Sequence, residues 1–313
     1  MAARTFRVAT RGSRLALAQT ARVVDKLRQR FPQHAFEAYV VTTTGDTHPA
    51  GAHQAEGKGI FVKEIEEALL RGDADLAVHS LKDMPTETPP GLTIAAIAER
   101  EDARDALISR NGAQLKELPE RAVVGTGSVR RAAQLLAARP DLRIEPIRGN
   151  LDTRIAKLTG ARASPVAYDA IIVAAAGCRR LGLADAITET LPTDLMLPAP
   201  GQGALAVEVR HGNTEAARMA ASLDDADARQ AVTAERACLR ALGGGCHVPV
   251  GALAEANGDA LVLCARVLRA DGTQLVDAEG SGSSDRPEEL GTDVASDLLG
   301  RGARALLGLV EGK

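Results

Sequence analysis

The chain has no tryptophan, and aromatic residues make up only 2% of its 313 residues. So few rings argue against a protein that reads single-stranded nucleic acid by stacking bases on aromatic side chains. Cysteine is also sparse: Cys178, Cys238, Cys246 and Cys264 are widely spaced and form no Cys-x-x-Cys pair. That spacing argues against a disulfide framework, and the six histidines show no ligand pattern that would build a metal centre. No charge of one sign dominates, since Lys+Arg 38 against Asp+Glu 41 leaves a formal net charge of -3. A surface made throughout for nucleic acid or an anionic membrane is not expected, so any anion site must be local. There is no apolar run of signal-peptide or membrane-span length, and Met1 to Arg7 leads straight into a strand-like segment, so a cytoplasmic location is expected.

What is present is an alternation of short Val/Ile-rich runs with Ala/Leu helical patterns, the pattern of strands joined by crossover helices. The fold class is α/β. Arg7 to Thr10, Ala38 to Thr42 and Ala74 to Val78 read as strands, with helical spacing over Leu15 to Leu27 and again over Lys63 to Leu70. A charged run at 99–105 breaks the apolar pattern like a hinge, after which Ala122 to Gly125, Ser128 to Ala138 and Ala170 to Ala174 repeat the same grammar. The Pro/Gly-rich stretch Leu197 to Gly203 precedes a strand at Ala204 to Val209 that is expected to return to the first lobe. From about Ala226 the composition shifts to a helix, strands at Gly251 to Ala254 and Ala260 to Leu268, and a final helix from Asp293 to Leu307. The expected domains are therefore residues 1–98 with 204–221, residues 103–197, and a small α+β domain over 226–313.

Arginines recur where strands hand over to helices: Thr10-Arg11-Gly12-Ser13, Gly125 through Ser128 to Arg130 and Arg131, Arg148-Gly149-Asn150 with Arg154, and Gly177-Cys178-Arg179-Arg180. In open α/β sheets such junctions gather backbone N–H groups, helix N-termini and guanidinium forks, which suit carboxylates or phosphates. Ala77 to Pro85 places Lys82 and Asp83 just past a strand end, a setting for acid-base chemistry and equally for an ordinary Asp-Pro turn. Gly243-Gly244-Gly245-Cys246 gives a thiol an exposed loop, although most free cysteines are inert packing residues. Gly57-Lys58-Gly59 lacks the spacing and the following Ser/Thr of a phosphate loop.

Together these segments resemble the porphobilinogen deaminase family in order and spacing over nearly the whole chain. The resemblance implies two periplasmic-binding-protein-like lobes facing a cleft, with the C-terminal domain presenting Cys246. It implies a dipyrromethane cofactor, held by thioether to Cys246, on which four porphobilinogen molecules are joined with loss of ammonia. By the same resemblance Lys82, Ser128, Arg130, Arg131 and Arg154 would hold the cofactor. Arg11, Ser13, Gln19, Arg148 and Arg180 would receive substrate or growing chain, Asp83 would be the catalytic carboxylate, and Lys58 and Phe61 would belong to a lid. No metal, nucleic acid or membrane is implied, and a monomer is expected. Gly127 where serine is frequent, Ala18 where a larger aromatic is frequent, and an insertion at 162–166 depart from the family pattern. The competing reading is a non-catalytic cytosolic two-lobe receptor for a small polyanion, which would need neither Asp83 nor Cys246.

Overall fold

The computed structural model describes residues 3–44, 61–244 and 248–308. Its backbone divides into two units, Met1–Glu101 with Gly203–Arg229 and Asp102–Gln202 with Gln230–Lys313. The chain opens with β1 (Thr5–Arg11), α1 (Arg14–Arg30), β2 (Ala35–Val41), α2 (Lys63–Arg71), β3 (Leu76–Ser80) and β4 (Leu92–Arg100). The second unit begins with β5 (Asp105–Ser109), β6 (Val123–Gly125), α3 (Val129–Ala138), β7 (Arg143–Glu145), α4 (Leu151–Thr159), β8 (Ala170–Ala174), α5 (Ala175–Arg180) and β9 (Glu189–Thr190). β10 (Ala204–Arg210) and α6 (Thr214–Ala221) return to the first unit. They are followed by α7 (Ala226–Ala241), β11 (Val250–Asn257), β12 (Ala260–Leu268), β13 (Leu275–Ser283) and α8 (Pro287–Gly300).

The two five-stranded sheets share one plan. The first runs β2-β1-β3-β10-β4 and the second β7-β6-β8-β5-β9. In each, three parallel strands are followed by one antiparallel strand, β10 or β5, wedged before the edge strand. Strands this central are covered on both faces, so they read as unbroken apolar runs. One face of the first sheet packs Phe6, Val8, Leu76, Val78, Leu205 and Val207 against Val23 and Leu27 of α1. The other face sets Ala9 and Ala77 against Ile65 and Leu69 of α2.

The third sheet, β11-β12-β13, is antiparallel and lies within the second unit. Glu235 of α7, fully buried, accepts hydrogen bonds from Gly201 N at 2.7 Å and Ala254 N at 2.8 Å, joining the 198–203 crossing to β11. Those two donors offset part of the cost of taking the carboxylate out of water.

The sequence reading missed β4, β5, β7 and β13, and the last has a visible cause. Its inward positions include Gly280 and Gly282, where an added Cβ would lie 2.7 Å from Val294 Cγ2 or 3.4 Å from Leu290 Cβ of α8. The helix occupies the space that inward side chains would fill, so the expected apolar alternation is erased. The helix expected over Asp293 to Leu307 is broken in two: a short α9 (Ala303–Leu306) forms its end, and α8 begins earlier than expected. Pro287 at its first position and Glu288 and Glu289 in the first turn start it, and it ends at Gly300.

Gly291 lets α8 sit directly on α7, since a Cβ there would crowd Ala234 O and approach Ala237 Cβ at 2.7 Å and Cys238 N at 2.9 Å. Gly291→Ala should therefore destabilise the chain by about 1–3 kcal/mol, the usual range for overpacking. A thermal or urea unfolding curve indistinguishable from wild type would refute this reading of the helix contact.

Candidate functional site

In the first unit, the ends of β1 and β3 carry the residues of interest. Arg11 closes β1, and its guanidinium carbon lies 4.1 Å from the centre of the Phe61 ring, a cation–π stack. Ser13 caps α1, its Oγ accepting from Ala16 N at 3.2 Å. Gln19 is buried, with its amide engaged by Ser80: Gln19 Nε2 to Ser80 Oγ is 3.0 Å, and Ser80 Oγ to Gln19 Oε1 is 3.1 Å. A single tight turn, Leu81–Asp83, follows β3 at once. Leu81 and Met84 are buried at either side of it and Met84 N bonds Leu81 O at 3.1 Å, leaving Lys82 half-buried and Asp83 exposed. An exposed carboxylate on a pinned turn can accept hydrogen bonds from a ligand without first breaking internal ones.

In the second unit, α3 begins at Ser128, whose Oγ accepts from Arg131 N. Arg130 and Arg131 point inward. Arg130 is 4% and Arg131 6% exposed, and both bind Asp105, which is fully buried at the start of β5. Arg130 Nη1 lies 2.7 Å from Asp105 Oδ2, while Arg131 Nε and Nη2 lie 3.0 Å and 2.7 Å from Oδ1. Arg130 also donates to Leu197 O at 2.5 Å, Arg131 to Ile172 O at 3.2 Å, and Gln202 Nε2 to Asp105 Oδ1 at 2.9 Å. Burial alone would raise the Asp105 pKa, but the two guanidiniums outweigh it and hold the carboxyl below the usual carboxylate range. Two cations against one carboxylate leave this buried group with an excess positive charge at the N-terminal end of a helix, a setting that favours a further anion.

Arg148 lies in the loop after β7, and Arg154 sits in the first turns of α4, its Nε donating to Gly149 O at 2.8 Å. Gly149 has φ 111°, and a Cβ there would fall 2.7 Å from Thr153 Cγ2, so the loop requires glycine. Arg180 does not stand at a strand-to-helix junction as the sequence pattern suggested. It is the last residue of α5, a full turn beyond the end of β8, and its neighbour Arg179 pairs with Asp102 at 2.9 Å.

Lys58 and Cys246 lie outside the described residues. The nearest described flank of the Cys246 loop is tight: a Cβ on Gly244 would fall 2.8 Å from Leu239 Cδ1 and 2.9 Å from Val248 Cγ2. A serine at position 127 would bring its Cβ within 3.3 Å of Ile147 O, so the loop around Gly127 has little room for a side chain. The 162–166 segment is largely exposed. Sequence reasoning missed Asp105, Gln134, Gln202 and Glu235. Gln134 closes a reciprocal pair with the Leu197 backbone at 3.0 Å and 2.8 Å. Asp105 ended a charged run that looked solvated, and the only signal of its burial was the apolar Ala-Leu-Ile run directly after it.

Each unit is an α/β sheet with arginines at the ends of its strands and the starts of its helices. Among the described residues no helix is long and apolar enough to cross a membrane. The family model "Porphobilinogen deaminase, dipyromethane cofactor binding domain" matches residues 6–218, and "Porphobilinogen deaminase, C-terminal domain" matches residues 229–300. The chain is similar to the porphobilinogen deaminase of Desulforudis audaxviator, 50% identical over 97% of both chains. It is also similar to that of Thermus thermophilus, 49% identical over 96% of this chain and 97% of the other. A solved structure, the Bordetella pertussis BvgS periplasmic VFT2 domain, is similar at 16% identity over 71% of this chain and 86% of that chain, with a TM-score of 0.40. The chain belongs to the porphobilinogen deaminase family.

Arg130→Leu would leave Asp105 buried with one guanidinium fewer, and removing one partner of a buried ion pair typically costs about 3–5 kcal/mol. We expect a loss of stability of that order in urea unfolding of cofactor-free protein, before any effect on cofactor. A variant as stable as wild type would show that the Arg130–Asp105 bond contributes little.

Proposed function

We propose that the chain joins four porphobilinogen molecules into the linear tetrapyrrole hydroxymethylbilane, releasing ammonia, on a dipyrromethane primer bound by thioether to Cys246. The observation that supports this most is the buried Arg130–Asp105–Arg131 group with its excess positive charge, lying within the segment that matches the dipyrromethane cofactor binding domain. That cofactor carries acetate and propionate groups, and the residues fit it: net cationic charge and the N-termini of α3 and α4 favour carboxylates. Ser128, Arg130, Arg131, Arg154 and Lys82 would hold it. When bound, the cofactor supplies a pyrrole ring whose open carbon accepts the next unit.

Arg11, Arg148 and Arg180 bind the carboxylates of substrate or growing chain in this reading. Ser13 and Gln19 support them, the first by capping α1 behind Arg11 and the second by holding Ser80. Asp83 is the catalytic carboxylate: it accepts hydrogen bonds from the substrate pyrrole N–H, opposes the positive charge that develops as ammonia leaves, and takes up a proton. Lys58 and Phe61 form the lid in the same reading, and Phe61, stacked on Arg11, can exchange the guanidinium for a substrate ring.

We also propose a cytoplasmic monomer. Cys178, Cys238 and Cys264 are free thiols, in keeping with a reducing compartment, and the exposed large apolar side chains Leu17, Val40, Leu70 and Leu275 stand on four different elements rather than one patch. The near-balanced charge offers no broad surface for nucleic acid.

Cys246→Ser should fold but lack the dipyrromethane mass and all turnover, because an alkoxide is far harder to form than a thiolate at neutral pH. Intact-mass measurement decides: an adduct retained by this variant would move the attachment site elsewhere. Asp83→Asn keeps the shape and an acceptor oxygen but not the charge, so it should keep the cofactor. Its single-turnover ammonia release should fall by about 100–1000-fold, the cost of one preorganised electrostatic group. A rate within a few-fold of wild type would remove Asp83 from the chemistry.

A further inference from the structure

The face of β3 opposite the Gln19–Ser80 pair carries a second polar group that the chemistry above does not use. His79 Nε2 lies 3.0 Å from Glu208 Oε2, with the histidine 6% exposed and the glutamate fully buried. The β3–β10 register sets Ala206 opposite His79 and Glu208 opposite Ala77, which puts both side chains on the sheet face covered by α2. From that helix comes Glu66, 9% exposed, in an apolar layer that includes Ala9, Ile65, Leu69 and Ala77. Glu66 Oε1 and Glu208 Oε1 are both buried and have no hydrogen-bond partner among the described residues.

Two carboxylates and one imidazole, all ionised in such a layer, would leave an uncompensated buried negative charge, which is costly. Keeping one proton on the group removes that charge. Burial first, and the Glu208 charge second, push the Glu66 carboxyl up to about 7, with His79 acting in the opposite sense. These are the charged groups facing Glu66: Glu208 from β10 and His79 from β3.

We propose that Glu66, His79 and Glu208 are positioning residues, a buried proton-retaining brace in which the His79–Glu208 bond ties β10 to the end of β3 under the Glu66 side chain of α2, and thereby fixes the turn that carries Asp83. The last two residues of β3 are thus held from opposite faces, Ser80 by Gln19 of α1 and His79 by Glu208 of β10, and the Leu81–Asp83 turn begins at the next residue. With Glu66 protonated, one of the two carboxylates carries no charge. With Glu66 ionised, like charges on α2 and β10 repel, the end of β3 loosens, and Asp83 loses its aim. The functional half of this proposal rests on the assignment of Asp83 above.

The test uses cofactor-loaded wild type with Glu66→Gln, Glu208→Ala and Glu208→Gln, read by single-turnover ammonia release and by unfolding. The amide introduced by Glu66→Gln imitates the protonated acid at every pH. The ratio of the Glu66→Gln rate to the wild-type rate should therefore be near one at about pH 6 and rise several-fold by about pH 8.5, a window bracketing the Glu66 value of about 7. Stability follows the same sign. Glu66 binds its proton more tightly folded than unfolded, so its contribution is full below the unfolded value of 4.5 and is lost as pH rises through about 7. Wild type should then lose stability relative to Glu66→Gln across that range. Glu208→Ala should slow ammonia release several-fold without changing half-saturation by porphobilinogen, and Glu208→Gln, which can still bond His79, should restore most of the rate.

A flat Glu66→Gln to wild-type rate ratio, or an unaltered rate in Glu208→Ala, overturns the brace. If Glu208→Ala does not fold, the Glu66→Gln rate ratio and stability difference still decide. A slow Asp83→Asn with a flat ratio sinks the brace alone, whereas a fully active Asp83→Asn sinks the Asp83 assignment and leaves the stability comparison to report on the proton.

Discussion

The strands of the second unit's five-stranded sheet are organised around the buried carboxylate of Asp105. Asp105 has no access to water, so its charge must be met inside, and Arg130, Arg131 and Gln202 converge on it from α3 and from the segment before β10. Those guanidiniums then reach Leu197 O and Ile172 O, so one acid aligns β5, β8, α3 and the Leu197–Gln202 crossing. Replacing such a group by apolar residues can leave stability unchanged, which makes its value one of arrangement rather than of energy. Here that arrangement holds two cations on one carboxylate near a helix N-terminus.

The first unit follows a different strategy. Its Leu81–Asp83 turn is short and leaves Asp83 exposed, but the strand feeding it is fixed on both faces by buried side chains. The order of the Asp83 position is thus provided three and four residues earlier, by Ser80 and His79. An exposed group ordered in this way can exchange hydrogen bonds with solvent or a ligand without disturbing the bonds that position it.

The sequence showed the α/β class, most central strands and the arginines beside the starts of α1 and α3, because each has a local signature: apolar runs, Gly-rich turns and Arg next to a helix start. It did not show which arginines are internal. Arg130 and Arg131 looked like surface groups turned to a ligand, and only the fold reveals the acid beneath them, since Asp105 is 25 and 26 residues away along the chain. Glu66 and Glu208, 142 residues apart by their numbering, likewise have no shared pattern to read. The bond between Gln19 and Ser80, 61 residues apart, has no local pattern either. β13 was hidden by glycines whose missing side chains make room for a helix. Long-range pairing and the absence of atoms are the two things a periodicity cannot carry.

Each large sheet takes its antiparallel strand from the chain beside a crossing: β5 follows the first crossing and β10 follows the second. β10 lies between β3 and β4, so the facing edges of these two strands lack their partner until residues 204–210 exist. On the ribosome, the first hundred residues must therefore wait with a gap in their sheet while the next hundred emerge and close their own around β5. Synthesis can close the second five-stranded sheet before it completes the first, and during that interval the strand edges that β10 will join are open to any chaperone, or any neighbouring nascent chain, within reach.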